Sequence, residues 1–212
     1  ELAGPPGTPL TGLMYIVIGD SSAGSGSVEA AINLFGLTVP AGGYFVAAEA
    51  SFTIGFADFT TDLNFENSDN VTHMLVEGFT GAVGDDLDTN DDGVLDSTPW
   101  NAIADDFALL ENPIDPATGN TSAGELVYSL NTIGPDGTFT PAHVVRCPDV
   151  SGDWEILPFA DLGVPFDTPG ANNTCPEDCD NGTDDDGNGF VDCDDAACAS
   201  LTICTLELCT DG

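Results

Sequence analysis

Two stretches of this chain follow one template. Asp88-Thr89-Asn90-Asp91-Asp92-Gly93-Val94-Leu95-Asp96 and Asp184-Asp185-Asp186-Gly187-Asn188-Gly189-Phe190-Val191-Asp192 both read D-x-[DN]-x-[DN]-G-x-Φ-D, with Φ apolar. Carboxylates or amides fall at alternate positions. A glycine then lets the chain turn back, and the carbonyl after it can add an oxygen. A tight loop that aims alternate oxygens inward is what a hard cation such as Ca²⁺ requires. The pattern therefore predicts one Ca²⁺ at Asp88, Asn90, Asp92 and Asp96, and another at Asp184, Asp186, Asn188 and Asp192. The competing reading is an acidic, Asx-rich surface turn. One such string in an acidic chain is expected by chance, whereas two copies of one template are less easily dismissed.

Charge narrows the possible partners. Thirty-seven acidic residues stand against one basic residue, Arg146, which gives a formal net charge of −36 over 212 residues. Such a chain repels phosphates and anionic surfaces. Nucleic-acid binding, which needs a basic footprint, is excluded on this reading. Bound metal or high salt must screen the self-repulsion, and the solvating surface of a halophile is the simpler alternative. Hydrophobic residues make up 42% of the chain, enough for a core. No apolar run approaches the ~20 residues of a membrane helix, so no membrane insertion is expected. The absence of an initiator Met reads as a processed or partial mature chain.

The cysteines are unevenly placed. Cys147 stands alone, while Cys175, Cys179, Cys193, Cys198, Cys204 and Cys209 crowd the C-terminus. This density reads as a disulfide framework in an oxidising compartment. A zinc cluster is the weaker rival, because no CxxC pair occurs and both histidines lie elsewhere. The odd total leaves one Cys free or paired between chains. Sequons at Asn70, Asn120, Asn172 and Asn181 fit a glycosylated exterior protein.

Short apolar runs separated by Gly, Pro, Asn and Asp predict strands at Leu13–Ile18, Val28–Leu34, Tyr44–Ala48, Val71–Val76, Ile103–Leu110, Leu126–Leu130, Val144–Arg146 and Trp154–Phe159. No stretch sustains a helical period over three turns. The fold class expected is all-β, an antiparallel sandwich. Composition shifts at residues 168–173, where apolar residues thin out. This gives a body over 1–173, a Cys/Asp-rich calcium-binding appendage over 174–199, and a strand-like tail over 200–212.

Three resemblances bear on these readings. The repeated loops resemble the calcium loops of thrombospondin type 3 repeats or dockerins. They resemble paired EF-hands less, since position 12 is Pro99 or Asp195 instead of the bidentate Glu. Missing ligands would come from Asp85, Asp86, Asp194, Asp195, water or another chain. Ala41-Gly42-Gly43-Tyr44-Phe45-Val46, the acidic loop with Thr98-Pro99-Trp100, and Thr168-Pro169-Gly170-Ala171-Asn172 resemble bacterial lamin-tail-like domains. That likeness implies an immunoglobulin-like β-sandwich of secreted or surface proteins over 1–173. Cys179-Asp180-Asn181-Gly182 with Asp184–Asp192, Cys193 and Cys198 looks like a metal-binding motif of secreted bacterial proteins. Such lamin-tail-like domains begin with a strand that has no counterpart here, since Glu1-Leu2 resembles the end of the second one.

Catalytic constellations are weak. Gly19-Asp20-Ser21-Ser22 mimics the nucleophile segment of GDSL-type esterases. Neither His73 nor His143 sits in the D-x-x-H pair that such a serine needs. His143, Cys147 and Asp149 have the residue types of a cysteine triad, but closeness in sequence is no evidence for one. Cys147 reads better as buried or disulfide-bonded. Arg146 is expected to pin its own turn by a bidentate bond to Asp149 or Asp153, with a surface ion pair worth little as the alternative.

The reading that follows is a secreted, non-enzymatic structural or adhesive protein, stabilised by Ca²⁺ and disulfides. It would polymerise when residues 201–208 insert as a strand into the open sheet edge of the next copy. A strand or hairpin within the same chain, tied by Cys204–Cys209, is the alternative for that tail. An extracellular carbohydrate-binding module with cell-surface or matrix glycans as partners is the alternative function, followed by an esterase.

Overall fold

The computed structural model describes residues 1–21, 24–65, 69–114, 125–157, 167–186 and 188–205. Eleven strands are present among them: β1 (Leu2–Ala3), β2 (Leu13–Ser21), β3 (Gly24–Asn33), β4 (Tyr44–Phe45), β5 (Ala47–Ala48), β6 (Phe59–Thr60), β7 (Val71–Glu77), β8 (Ala102–Leu109), β9 (Thr132–Ile133), β10 (Val144–Cys147) and β11 (Asp153–Ile156). Helix among the described residues is confined to a 3₁₀ turn at Asp192–Asp194 and an α-helical turn, α1, at Thr202–Thr205.

A five-stranded sheet in the order β3-β2-β7-β8-β9 forms the centre, and β1-β4, β5-β6 and β10-β11 pair as separate two-stranded ribbons. The expected all-β class is observed. The pairing is mixed, not purely antiparallel, because β8-β9 and β5-β6 run parallel. Both parallel contacts are two residues long, and chain segments between the partners leave room for the crossover.

The apolar run Leu13–Ile18 is buried on both faces of the sheet, which explains why it does not alternate. Ile16 and Ile18 face one side with Val28, Met74 and Val76, where Leu87 from the first acidic loop closes the cluster. Tyr15 and Val17 face the other side, in clusters with Ile32, Leu34 and Phe45 or with Ala30 and Val71. Opposite Val17 and Ile18, β3 supplies Ala30 and Val28, so Glu29 is an extra residue in a β-bulge. The bulge keeps apolar side chains of β3 on both buried faces and moves the carboxylate out of register.

Two expected strands differ. Tyr44–Ala48 is broken into β4 and β5, because Val46 turns its amide to the Asp58 carboxylate at 2.9 Å. Leu126–Leu130 is irregular. Tyr128 there donates its amide to Thr72 Oγ1 at 3.0 Å, a side-chain partner in place of a strand ladder. The strand expected over the tail is also absent from its described part. Residues 202–205 form a helical turn, tied by Cys193–Cys204 to the 3₁₀ turn. That bond also corrects the alternative tie of Cys204 to Cys209, which lies outside the described residues.

Candidate metal centre

Three disulfides organise the C-terminal part: Cys147–Cys175, Cys179–Cys198 and Cys193–Cys204. Cys175, Cys179, Cys193 and Cys198 are all bonded, but where the four were expected to bond among themselves only Cys179–Cys198 joins two of them. Cys147, which sequence left solitary, is the partner of Cys175. It sits at the end of β10 opposite Asp153, so this bridge anchors the first residues of the appendage to the body. A sulfur held in a disulfide is no nucleophile, which removes Cys147 from the cysteine-triad reading. Ser21 Oγ lies 2.7 Å from Ser27 Oγ at the end of the β2-β3 hairpin.

The second acidic loop lies between Cys179 and Cys193. Asp184 and Asp186 converge there with Glu177, and one oxygen from each lies within 4.8 Å of the others. Among the described residues, no other three His, Cys, Asp or Glu side chains meet so closely. Asp184 Oδ1 is buried and has no hydrogen-bond partner among the described residues. Three carboxylates at this spacing repel one another by about 0.9 kcal/mol per pair even at the dielectric of water. An all-oxygen set with a shielded, unpaired oxygen suits a hard cation.

Glu177 is the residue that sequence reasoning missed. Its Oε2 accepts the amides of Asp185 at 2.9 Å and Asp186 at 3.4 Å, and its Oε1 accepts that of Asp192 at 2.8 Å. It thus joins the start of the loop to its end. It precedes the repeated template by seven positions, outside any twelve-residue loop pattern, so nothing in the spacing marked it.

The other expected ligands of this loop are only partly brought together. Asn188 donates its side-chain amide to Asp186 Oδ2 at 2.9 Å and also to Asp195 Oδ2. Asp195 is almost fully buried and accepts the Ala197 amide. Asp192 turns away and takes the Gly182 amide at 3.1 Å.

The first loop is built differently. Asp88 is fully buried, and its oxygens accept the Asp92 amide at 3.2 Å, the Gly93 amide at 2.9 Å and the Tyr128 hydroxyl at 2.9 Å. Burial raises the Tyr128 pKa, with the bond to Asp88 as the next cause, so the hydroxyl keeps its proton and donates. Asn90 Oδ1 accepts the Asp92 amide, Asp92 Oδ1 accepts the Val94 amide, and Asp96 Oδ2 accepts both Thr89 donors. The Leu87 carbonyl accepts the Asp96 and Ser97 amides, so the loop presses Leu87 into the core. Each of these carboxylates also keeps lone pairs beyond those used. Asp85 and Asp86, named as spare ligands, accept the amides of Ala82 and Asp88.

Asn70 is 2% exposed, with Oδ1 taking the Glu111 amide at 2.7 Å, so a glycan there has no room. Asn172 and Asn181 are exposed, and Asn120 lies outside the described residues. Arg146 does not bind Asp149 or Asp153. Its register on β10 places it beside Trp154, over whose ring it sits at 4.4 Å, and it reaches across to Asp105 at 3.0 Å. Asp149 instead accepts the Tyr44 hydroxyl and the Asn173 amide.

The chain matches no protein-family model, no curated protein and no solved structure.

Proposed function

We propose that this chain is a secreted, non-enzymatic structural or adhesive protein. In this reading an immunoglobulin-like, lamin-tail-like β-sandwich carries an appendage held by disulfides and Ca²⁺. The observation that carries the proposal is the convergence of Glu177 with Asp184 and Asp186 of a loop bracketed by two disulfides. Residues 174–199 contain few apolar side chains, so covalent and ionic ties must replace a core. Three disulfides fit an oxidising compartment. No described helix is long and apolar enough to cross a membrane.

Glu177, Asp184 and Asp186 would hold the C-terminal ion, with Asn188 as the next oxygen. The ion would supply positive charge to a cluster that otherwise repels itself. A second, weaker ion belongs to Asp88, Asn90, Asp92 and Asp96, whose spare lone pairs face a more crowded loop. Ca²⁺ bound to the native state alone stabilises it by RT ln(1 + [L]/Kd), about 2.7 kcal/mol at a hundredfold excess over Kd. Chelation should therefore lower the melting temperature, with recovery on adding Ca²⁺. A melting curve unchanged by chelator and by millimolar Ca²⁺ would contradict the reading.

Assembly of copies is part of the same proposal. A donor strand from residues 201–208 would have to form at the expense of the helical turn at 202–205, so addition costs local structure. Screening by Ca²⁺ or salt would be needed as well, given the charge of −36. Negative-stain microscopy with Ca²⁺ and with chelator tests it. Filaments that persist after deletion of residues 200–212 would rule out exchange through this tail.

A further inference from the structure

The sheet face opposite the acidic loop holds a second site. Tyr15 on β2, His73 on β7 and Phe107 on β8 share that face, because Tyr15 and Val17 alternate with the residues facing Ile16, and His73 pairs with both Val17 and Phe107. The β10-β11 ribbon covers it with Arg146 and Trp154. Between them lies a cavity of about 800 Å³, lined also by Phe65 and by β1 and β4.

His73 is 3% exposed and surrounded by rings. Phe107 stacks on it at 4.9 Å, Phe65 meets it edge-on at 5.2 Å, and Tyr15 stacks at 5.9 Å. The Tyr15 hydroxyl lies 2.6 Å from His73 Nδ1. Burial pushes the Tyr15 pKa up, so the hydroxyl keeps its proton, and we assign it as the donor to Nδ1. In the neutral ring Nε2 then carries the hydrogen. This Nε2–H is buried and has no partner among the described residues, and the same is true of Trp154 Nε1–H. Trp154 packs against the other neighbour of the cavity, Phe107, at 4.5 Å. Buried donors without acceptors are rare and costly, and two of them line one cavity.

The ionic side chains around the cavity have partners. Arg146 is paired with Asp105, His143 with Asp167, and Asp149 with Tyr44 and Asn173. Glu1 accepts the Gly170 amide. What remains is an aromatic, apolar volume with two unsatisfied donors. An anion is disfavoured by the protein's net charge, and two donors call for an accepting ligand, which a cation is not.

We infer that this cavity is a binding site for a neutral, largely apolar small molecule bearing a hydrogen-bond-accepting oxygen, such as a ketone or ester, held by His73 Nε2–H and Trp154 Nε1–H. The apolar body fills the space between Tyr15, Phe65 and Phe107, and the oxygen satisfies the donors. This site is independent of the metal loops and of the structural role proposed for them.

The test uses the full chain with Ca²⁺ and two neutral ketones, the naphthyl ketone prodan and 2-decanone. Calorimetry should show saturable binding of at least one ketone at one site. In ¹⁵N spectra the Trp154 indole or the His73 imidazole resonance should move on binding, while the Trp100 indole stays in place. A naphthalene of the same outline without the carbonyl should bind about fivefold more weakly or worse, the loss expected for one hydrogen bond. His73→Phe and Trp154→Phe should each weaken binding of the ketone by a similar factor. Absence of saturable binding for both ketones overturns the inference. So does binding that moves neither resonance, or that both variants leave unchanged. The spectra of the unmodified protein decide the matter if a variant fails to fold.

Discussion

Glu177 Oε1 accepts the backbone amide of Asp192 across fifteen residues, at 2.8 Å. One carboxylate outside the repeated template thereby closes the loop that the template defines. Its other oxygen holds the amides of Asp185 and Asp186, so the same side chain positions Asp186 and faces the space shared with Asp184. Replacing Glu177 with Gln removes one negative charge and keeps the shape. The expected result is Ca²⁺ affinity at the C-terminal loop weaker by about tenfold or more, roughly 1.4 kcal/mol. Calorimetric titration checks it, and an unchanged affinity would remove Glu177 from the ion's shell.

The Cys147–Cys175 bond closes a separation of 28 residues. The chain-entropy account assigns such a bridge about 3.6 kcal/mol. The double variant Cys147→Ala, Cys175→Ala should lose stability of that order in denaturant titration. Limited proteolysis should then cut first near residues 168–173. A double variant as stable as the parent would show that the appendage is held by other contacts.

His73 sets a pH dependence. Burial lowers its pKa from 6.5 to about 4. Between these values the unfolded chain takes up a proton that the folded chain refuses. The contribution of neutral His73 is thus fully present above pH 6.5 and is lost as pH falls toward 4, by up to roughly 3 kcal/mol. Asp69 works in the opposite sense, because burial, followed by its bond to Asp20, raises its pKa to about 7. Comparison with His73→Phe isolates the histidine. The parent should lose more stability than the variant between pH 6.5 and 4, and parallel curves would contradict the neutral, buried imidazole.

Arg146 is the only Lys or Arg in the sequence, and its main partner is a ring. Asp105 is 53% exposed, so that ion pair is worth little in water. The stack on Trp154 and the 3.2 Å bond to the Gly152 carbonyl are less sensitive to salt. Arg146→Gln should cost about 1 kcal/mol, most of it surviving in high salt. A cost that vanishes in high salt would reduce Arg146 to its surface pair.

Much of the body was legible because local patterns and tertiary structure agree there. Leu13–Ile18 reads as a buried strand since it is apolar throughout, and the sheet buries both of its faces. The described part of the tail departs from its composition for a related reason. Leu201, Ile203 and Leu206 suggest a strand by composition, but Cys204 is bonded back to Cys193 and residues 202–205 make a helical turn. Disulfide pairing is a matter of distance in space, which spacing along the chain does not encode. Arg146 shows the same limit. Its nearest acids in sequence are Asp149 and Asp153, yet the β10-β11 register turns it toward Trp154 and Asp105. The acidic loops were visible as a repeat, whereas Glu177 and Tyr128 were not. Each reaches its loop from outside the repeat, and their roles depend on how the chain folds back.

The most direct test of the account is native mass spectrometry of the oxidised chain at rising Ca²⁺, alongside Glu177→Gln and Asp184→Asn. The account predicts one tightly held ion at the lowest concentrations, then a second, weaker one. The tight ion should be lost in both variants while the weaker one remains. A parent chain that holds no Ca²⁺ at millimolar concentration, or a tight ion that both variants retain, would contradict the metal centre at Glu177, Asp184 and Asp186.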